Sequence, residues 1–123
     1  MGMRALAGRI GFAFIGDTLP ATLDDVETVP TQATAFRNVI EGDLKGIRVL
    51  AFDYGQSSRR AGPQGTAIAA RTDRDLFGSI PANRAVSTER DRAWTVLYQP
   101  ASFNLPSGVI PLRELEGLLL GIG

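Results

Sequence analysis

Apolar and polar positions alternate most regularly in residues 36–54, FRNVIEGDLKGIRVLAFDY, and that alternation predicts a β-hairpin. Its turn is Asp43-Leu44-Lys45-Gly46, where the leading Asp and closing Gly suit a type I turn ended by a left-handed glycine. Gly46 supplies positive φ there without a Cβ clash. Such a turn sets Asp43 opposite Ile47, and the pairing runs outward from it. One face then receives Ile40 opposite Leu50, Asn38 opposite Phe52 and Phe36 opposite Tyr54. The other receives Glu41 opposite Val49, Val39 opposite Ala51 and Arg37 opposite Asp53. Arg37 and Asp53 are expected to form a cross-strand ion pair that fixes the register. Both faces are apolar enough to need a cover.

The flanking chain supplies candidates for that cover. Residues 4–10 predict a short helix with Leu6 and Ile10 on one side and Gly11 as its stop. Phe12-Ala13-Phe14-Ile15 is an apolar run that reads equally as a short strand or as a peg in the core. Residues 18–34 read as irregular, with Pro20, Pro30 and the acidic cluster Asp24-Asp25-Val26-Glu27 in a solvated loop. Residues 66–72, TAIAART, form a third strand whose alanines imply close packing against bulky neighbours. Residues 73–83 form a loop that tucks Leu76, Phe77 and Ile80 inward. Residues 84–89 are a weaker strand, 90–92 a polar turn and 93–99, AWTVLYQ, a strong strand. On that last strand Trp94, Val96 and Tyr98 share one face, and Thr95, Leu97 and Gln99 the other. After a loop at 101–108, Pro111 opens a terminal helix over 111–120, with Leu112, Leu115, Leu119 and Ile122 in one stripe. The terminal helix closes one sheet face. The residue 6–15 segment, curling of the sheet, or a second copy in a two-fold homodimer must close the other; curling is the simplest.

Composition narrows the chemistry. The chain has 123 residues, 44% hydrophobic and 21% charged, which fits one domain, 1–123. Thirteen basic and thirteen acidic side chains cancel, so no global basic excess points to nucleic acid and only a local patch stays open. The absence of Cys removes disulfides and thiolate chemistry and suits a reducing cytoplasm, which is the expected compartment. The absence of His removes the commonest general base and transition-metal ligand. The N-terminal apolar run resembles a signal peptide but is interrupted by Arg9, and no run reaches the roughly 18 apolar residues of a membrane span. Soluble behaviour and no cofactor are expected.

Three sets of residues carry whatever chemistry is left. Asp24, Asp25 and Glu27 offer hard oxygen ligands but lack the spacing and glycine of a calcium loop. Arg59 and Arg60, in the glycine-rich connection 55–65, could grip phosphate or carboxylate, although neither a Walker loop nor a dinucleotide fingerprint surrounds them. Arg37 with Asp53, and Asp73 with Asp75, are the pairs on which a carboxylate-dependent enzyme would have to rely. Tyr54 and Tyr98 read as aromatic core or rim rather than as catalytic acids.

The motifs Asn38-Val39-Ile40-Glu41-Gly42, Gly46-Ile47-Arg48-Val49 and Ala51-Phe52-Asp53-Tyr54 resemble a family of uncharacterised bacterial proteins with an N-V-[IL]-x-G, G-x-x-V and F-D-Y hairpin core. The likeness extends through Ala69-Ala70-Arg71 and the segments 94–100 and 111–119, over about the last two-thirds of the chain. It implies the hairpin architecture and no activity. The expected fold is α+β: a strongly bent antiparallel sheet of about five or six strands. That half-barrel, comparable with pleckstrin-homology domains, has a C-terminal helix and a short N-terminal one. The expected function is a non-enzymatic binding or interaction module for a protein or small ligand. A structural homo-oligomer and a carboxylate-dependent enzyme are the alternatives.

Overall fold

The computed structural model describes residues 2–23, 26–28, 30–33, 35–55, 65–72, 87–91, 93–98, 110 and 112–120. The readings at Asp24 and Asp25, at 56–64, at 73–86, at 99–109, and at Pro111 and Ile122 lie outside them.

A helix α1 (Met3–Ile10) leads into β1 (Ala13–Gly16) and two single 3-10 turns (Ala21–Leu23 and Pro30–Gln32). The hairpin β2 (Ala35–Leu44) and β3 (Ile47–Gly55) follows, then β4 (Gly65–Ala70), β5 (Ser87–Asp91), β6 (Trp94–Tyr98) and α2 (Leu112–Leu120). The six strands form one antiparallel sheet in the order β1-β2-β3-β4-β6-β5, curved and not closed. The α+β expectation holds. Among the described residues no helix is long and apolar enough to cross a membrane.

The central hairpin forms where expected, but its register differs near the turn. Leu44 pairs with Ile47, so the loop is only Lys45-Gly46, at φ 52° and 80°. Two successive left-handed residues make a type I′ turn, whose twist matches that of the flanking strands. The positive φ at Gly46 is as expected; the type I turn is not. Asp43 therefore faces Arg48, Glu41 faces Leu50 and Ile40 faces Ala51, one residue off the expected pairs. A β-bulge between Arg37 and Ile40 absorbs the slip, and Arg37–Asp53 and Phe36–Tyr54 return to the expected register. Asn38 makes the bulge at φ 56°, a conformation that Asn tolerates better than most residues.

The bulge exchanges two core residues between faces. Ile40 joins Val49, Ala51, Ile68 and Leu97, whereas Val39 joins Leu50, Phe52, Val96 and Trp94. The expectation that Ile40 shares the Phe52 face is corrected. Phe52, Leu50, Ile40, Trp94, Val96 and Leu115 are nonetheless all buried.

Both helices cover the Ile40 face. Leu6 and Ala7 of α1 and Leu115 and Leu119 of α2 are buried there, and Arg9 reaches Glu116 at 3.1 Å. Glu116 is thus half-buried in an ion pair. Gly11 stops α1 at φ 79°. Phe12 is then the buried peg and Ala13–Gly16 the strand, so that run serves in both ways. The Phe12 ring lies over Gly42, where a Cβ would overlap it.

The opposite face is aromatic, and of its candidate covers the 6–15 segment is not the one that packs on it. The residue 6–15 segment lies with the terminal helix and leaves this face to others. Instead Leu23 and Val26, with half-buried Leu19, pack on Phe52, Trp94 and Tyr98. The stretch read as a solvated acidic loop therefore presses apolar side chains onto the sheet. Its backbone polar groups are met locally, by Thr28 N–H donating to Thr31 Oγ1 (2.9 Å) and Thr31 Oγ1 donating to Val26 O (2.7 Å). Glu27 N–H donates to Asp91 Oδ2 at 2.7 Å and pins the stretch to β5. The polar turn expected at 90–92 is also corrected, because Arg90 and Asp91 belong to the ladder, opposite Thr95 and Trp94.

Candidate functional site

Polar side chains converge at two places on the sheet, one on each face. The first is built on Asp53. Its Oδ1 accepts from Thr66 Oγ1 at 2.7 Å and its Oδ2 from Asn38 Nδ2 at 3.0 Å. Thr66, fully buried on β4, accepts in turn from the Ile110 N–H at 3.0 Å. A charged acceptor with a donor on each oxygen is a strong fastener, because each bond is charge-assisted. This one ties the β2 bulge, β3, β4 and the approach to α2 together. Arg37 stands opposite Asp53 in register but is exposed, and among the described ion pairs it has none with Asp53. The expected Arg37–Asp53 bridge is replaced by neutral donors, because the bulge brings Asn38 to the carboxylate.

The second grouping lies at one end of the aromatic face. Phe36, Phe52 and Tyr54 stack edge to face, with centroids 5.9 and 6.4 Å apart. Across β4, Tyr98 pairs with Ala67, which also pairs with Phe52, and Tyr54 pairs with Gly65. A Cβ at Gly65 would strike the Tyr54 ring and hydroxyl, so the absent side chain is what lets Tyr54 lie over the strand. The small alanines expected to pack against bulky neighbours do so here. β5 adds Glu89, opposite Val96 and hence on the face of Val96 and Tyr98. Tyr98 is buried, while Tyr54, Phe36 and Glu89 are each half-buried. Burial first, and then Tyr98 and Glu89, push the Tyr54 phenol up to about 12, so it stays neutral and able to donate a hydrogen bond.

Of the residues singled out from sequence, Gly46 forms the turn, and Arg37 and Asp53 sit opposite one another. Arg59, Arg60, Asp73 and Asp75 lie outside the described residues. Among the described residues no three acidic side chains gather as metal ligands would. Sequence reasoning missed Thr66, Asn38 and Glu89. The usable signal was alternation on neighbouring strands: Gly65 and Ala67 leave room on the one face where Tyr54 and Tyr98 need it.

Within the hairpin motifs, six residues have structural duties. Asn38 makes the bulge, Gly42 seats Phe12, Gly46 turns the chain, Val49 and Phe52 fill opposite cores, and Asp53 fastens three strands. No family model, curated protein or solved structure matches the chain.

Proposed function

We propose that this chain is a non-enzymatic binding module that takes its ligand at the tyrosine end of the aromatic face. The observation that carries the reading is half-buried Tyr54, in an edge-to-face series with Phe52 and Phe36, lying over small Gly65 on the face it shares with Tyr98 and Glu89. Rigid aromatic walls with a few polar groups are the usual material of a ligand site. The other surfaces favour this reading over assembly into copies. Each sheet face has a cover from within the chain. The β1 edge is four residues long with an irregular register, and Arg4 lies 4.6 Å over its Phe14 ring. The β5 edge carries Ser87-Thr88-Glu89-Arg90-Asp91. Short, charged edges resist strand addition. Of the two pairs the carboxylate-enzyme reading relied on, Asp53 is already engaged, since both its oxygens accept hydrogen bonds, and Asp73 with Asp75 lies outside the described residues. A cytoplasmic setting is part of the proposal and rests on the absence of Cys.

A thermal-shift screen of small fragments and peptides tests the reading. Ligands that raise Tm in the wild type should lose most of that effect in Tyr54→Leu. Ligands whose effect is untouched in Tyr54→Leu and in Glu89→Gln would place the binding surface elsewhere.

A further inference from the structure

Gly16 and Val39 are paired, so β1 and β2 are neighbours, yet the chain that joins them crosses the aromatic face. Its described residues, 17–23, 26–28 and 30–33, make a strap. β1 and β5 are the two edges of the sheet, and the strap runs from one to the other. Five strand spacings separate those edges, about 24 Å. Glu27 reaches Asp91 on β5, and the 3-10 turn Pro30–Gln32 then lies against β3 and β4 on the way back to β2. Ordered connections of this length commonly serve as lids or binding loops.

Hydrogen bonds hold the strap together more than they hold it to the sheet. Leu23 N–H donates to Pro20 O, Val26 N–H to Leu23 O and Ala33 N–H to Pro30 O, at 3.0, 3.1 and 3.3 Å. The Thr28–Thr31 and Thr31–Val26 bonds close its middle. Among the described residues, the one hydrogen bond from the strap to a strand is Glu27 N–H to Asp91 Oδ2, at 2.7 Å. Its acceptor is charged, which makes it strong for a single bond. Apolar contact supplies the rest, through Leu23, Val26 and half-buried Leu19. A strand such as β3 is held differently, with a ladder on each side and buried side chains on both faces. A segment held as the strap is can part from the sheet while every ladder stays paired. Asp91 pairs with Trp94, so the fastening point stands beside the ring that the strap covers.

We propose that the strap is a lid that lifts from the sheet as one unit, with the Asp91 carboxylate as its latch. Lifting bares the aromatic face around Trp94 and Val96 while the six-stranded sheet persists. Asp91 is a positioning residue, acting through the Glu27 N–H that it holds. On the binding-module reading above, the lid sets how much of the aromatic face a ligand can reach from the Tyr54 end. The motion itself stands without that reading.

The test is native-state hydrogen exchange of the full chain by NMR, at urea concentrations below the unfolding transition. It compares the amides of Leu23, Val26, Glu27, Thr28 and Ala33 with those of Leu50, Phe52, Ala67 and Ala69. The strap amides should exchange together, about a hundredfold faster than the strand amides after correction for intrinsic rates, with little dependence on urea. Asp91→Ala should speed them about tenfold, and Asp91→Asn, which keeps a neutral acceptor, by less. Strand amides should quicken with Asp91→Ala too, since the unfolded chain lacks the latch as the open form does. Ile68→Val separates the two events. It weakens the opposite face in the closed and open forms alike, so strand amides should quicken several-fold and strap amides stay within about twofold. Access is read by thiol labelling with a disulfide reagent, which the absence of Cys makes specific. The thiol of Val96→Cys should react through the strap's opening, with little urea dependence, and that of Ile68→Cys only through global unfolding. Strap amides that match strand amides in rate and urea slope, and follow them in Ile68→Val, overturn the lid. Unchanged strap exchange in Asp91→Ala overturns the latch. Val96→Cys labelling no faster than that of Ile68→Cys leaves the face covered and overturns the lid as well. The binding-module reading is judged apart from these results, by the ligand screen of Tyr54→Leu.

Discussion

Asn38 is the residue on which the two-faced core turns, and its replacement has a calculable cost. Two terms act at the site. The Asn38 Nδ2–Asp53 Oδ2 bond, at 3.0 Å, goes to a charged acceptor, and such bonds contribute about 1.5–3 kcal/mol. Both partners are half-buried, so the lower end applies. The left-handed backbone, φ 56°, costs an ordinary L residue about 1–2 kcal/mol more than it costs Gly. Asn carries only a small part of that strain, so Asn38→Gly loses the bond and regains little, for a net loss of about 1 kcal/mol. Asn38→Ala loses the bond and adds the strain that Asn largely escapes, for about 2–3 kcal/mol, and Asn38→Val should be worse again because it is β-branched. The assay is urea unfolding followed by tryptophan fluorescence at constant m-value. The order wild type, Gly, Ala, Val carries the argument more than any single value. An Ala variant as stable as the Gly variant would show that residue 38 is not left-handed, and the exchange of Ile40 and Val39 between faces would lose its cause.

Gly42→Val forces side-chain atoms into the Phe12 ring and should cost about 1–3 kcal/mol in the same assay, with Phe12→Ala relieving part of that clash in the double variant. Ala93 sits at φ 70°, so Ala93→Gly should stabilise the chain by about 0.5–1 kcal/mol, read as a higher urea midpoint. Tyr54 should ionise at about 12 against an ordinary value of 10.0, and a spectrophotometric titration of Tyr54→Phe should lose that late step. The sign follows from the raised value. The neutral phenol is favoured in the folded chain, so its contribution is complete below about pH 10 and is lost as pH rises toward 12.

The sheet and both helices were legible because periodicity survives any local slip. Alternation marked residues 36–54 as a hairpin, and three- and four-residue spacing marked Leu115 and Leu119 as one buried stripe. What escaped was whatever one extra residue decides. Nothing in Asn38-Val39 announces a bulge, yet it moves Ile40 from one core to the other. The cover of the aromatic face escaped for a different reason. Leu23 and Val26 sit among acidic residues and threonines without strand or helix periodicity, and their burial depends on local Thr28–Thr31 bonds. The tyrosine corner was half legible: both tyrosines were read as aromatic core or rim, but Glu89 gains its place only through the β5–β6 register.

The central claim is that the chain closes its own aromatic face over Trp94 and leaves that face open at Tyr54. Photochemically induced nuclear polarisation with a flavin dye reports which aromatic rings a small probe can touch. The chain suits it, with one Trp, two Tyr and no His. Trp94, 4% exposed, and Tyr98, 8% exposed, should be silent, and half-buried Tyr54 should give the tyrosine signal that Tyr54→Phe abolishes. A Trp94 signal as strong as that of Tyr54 would mean that Leu23 and Val26 do not cover the sheet, and would contradict the account.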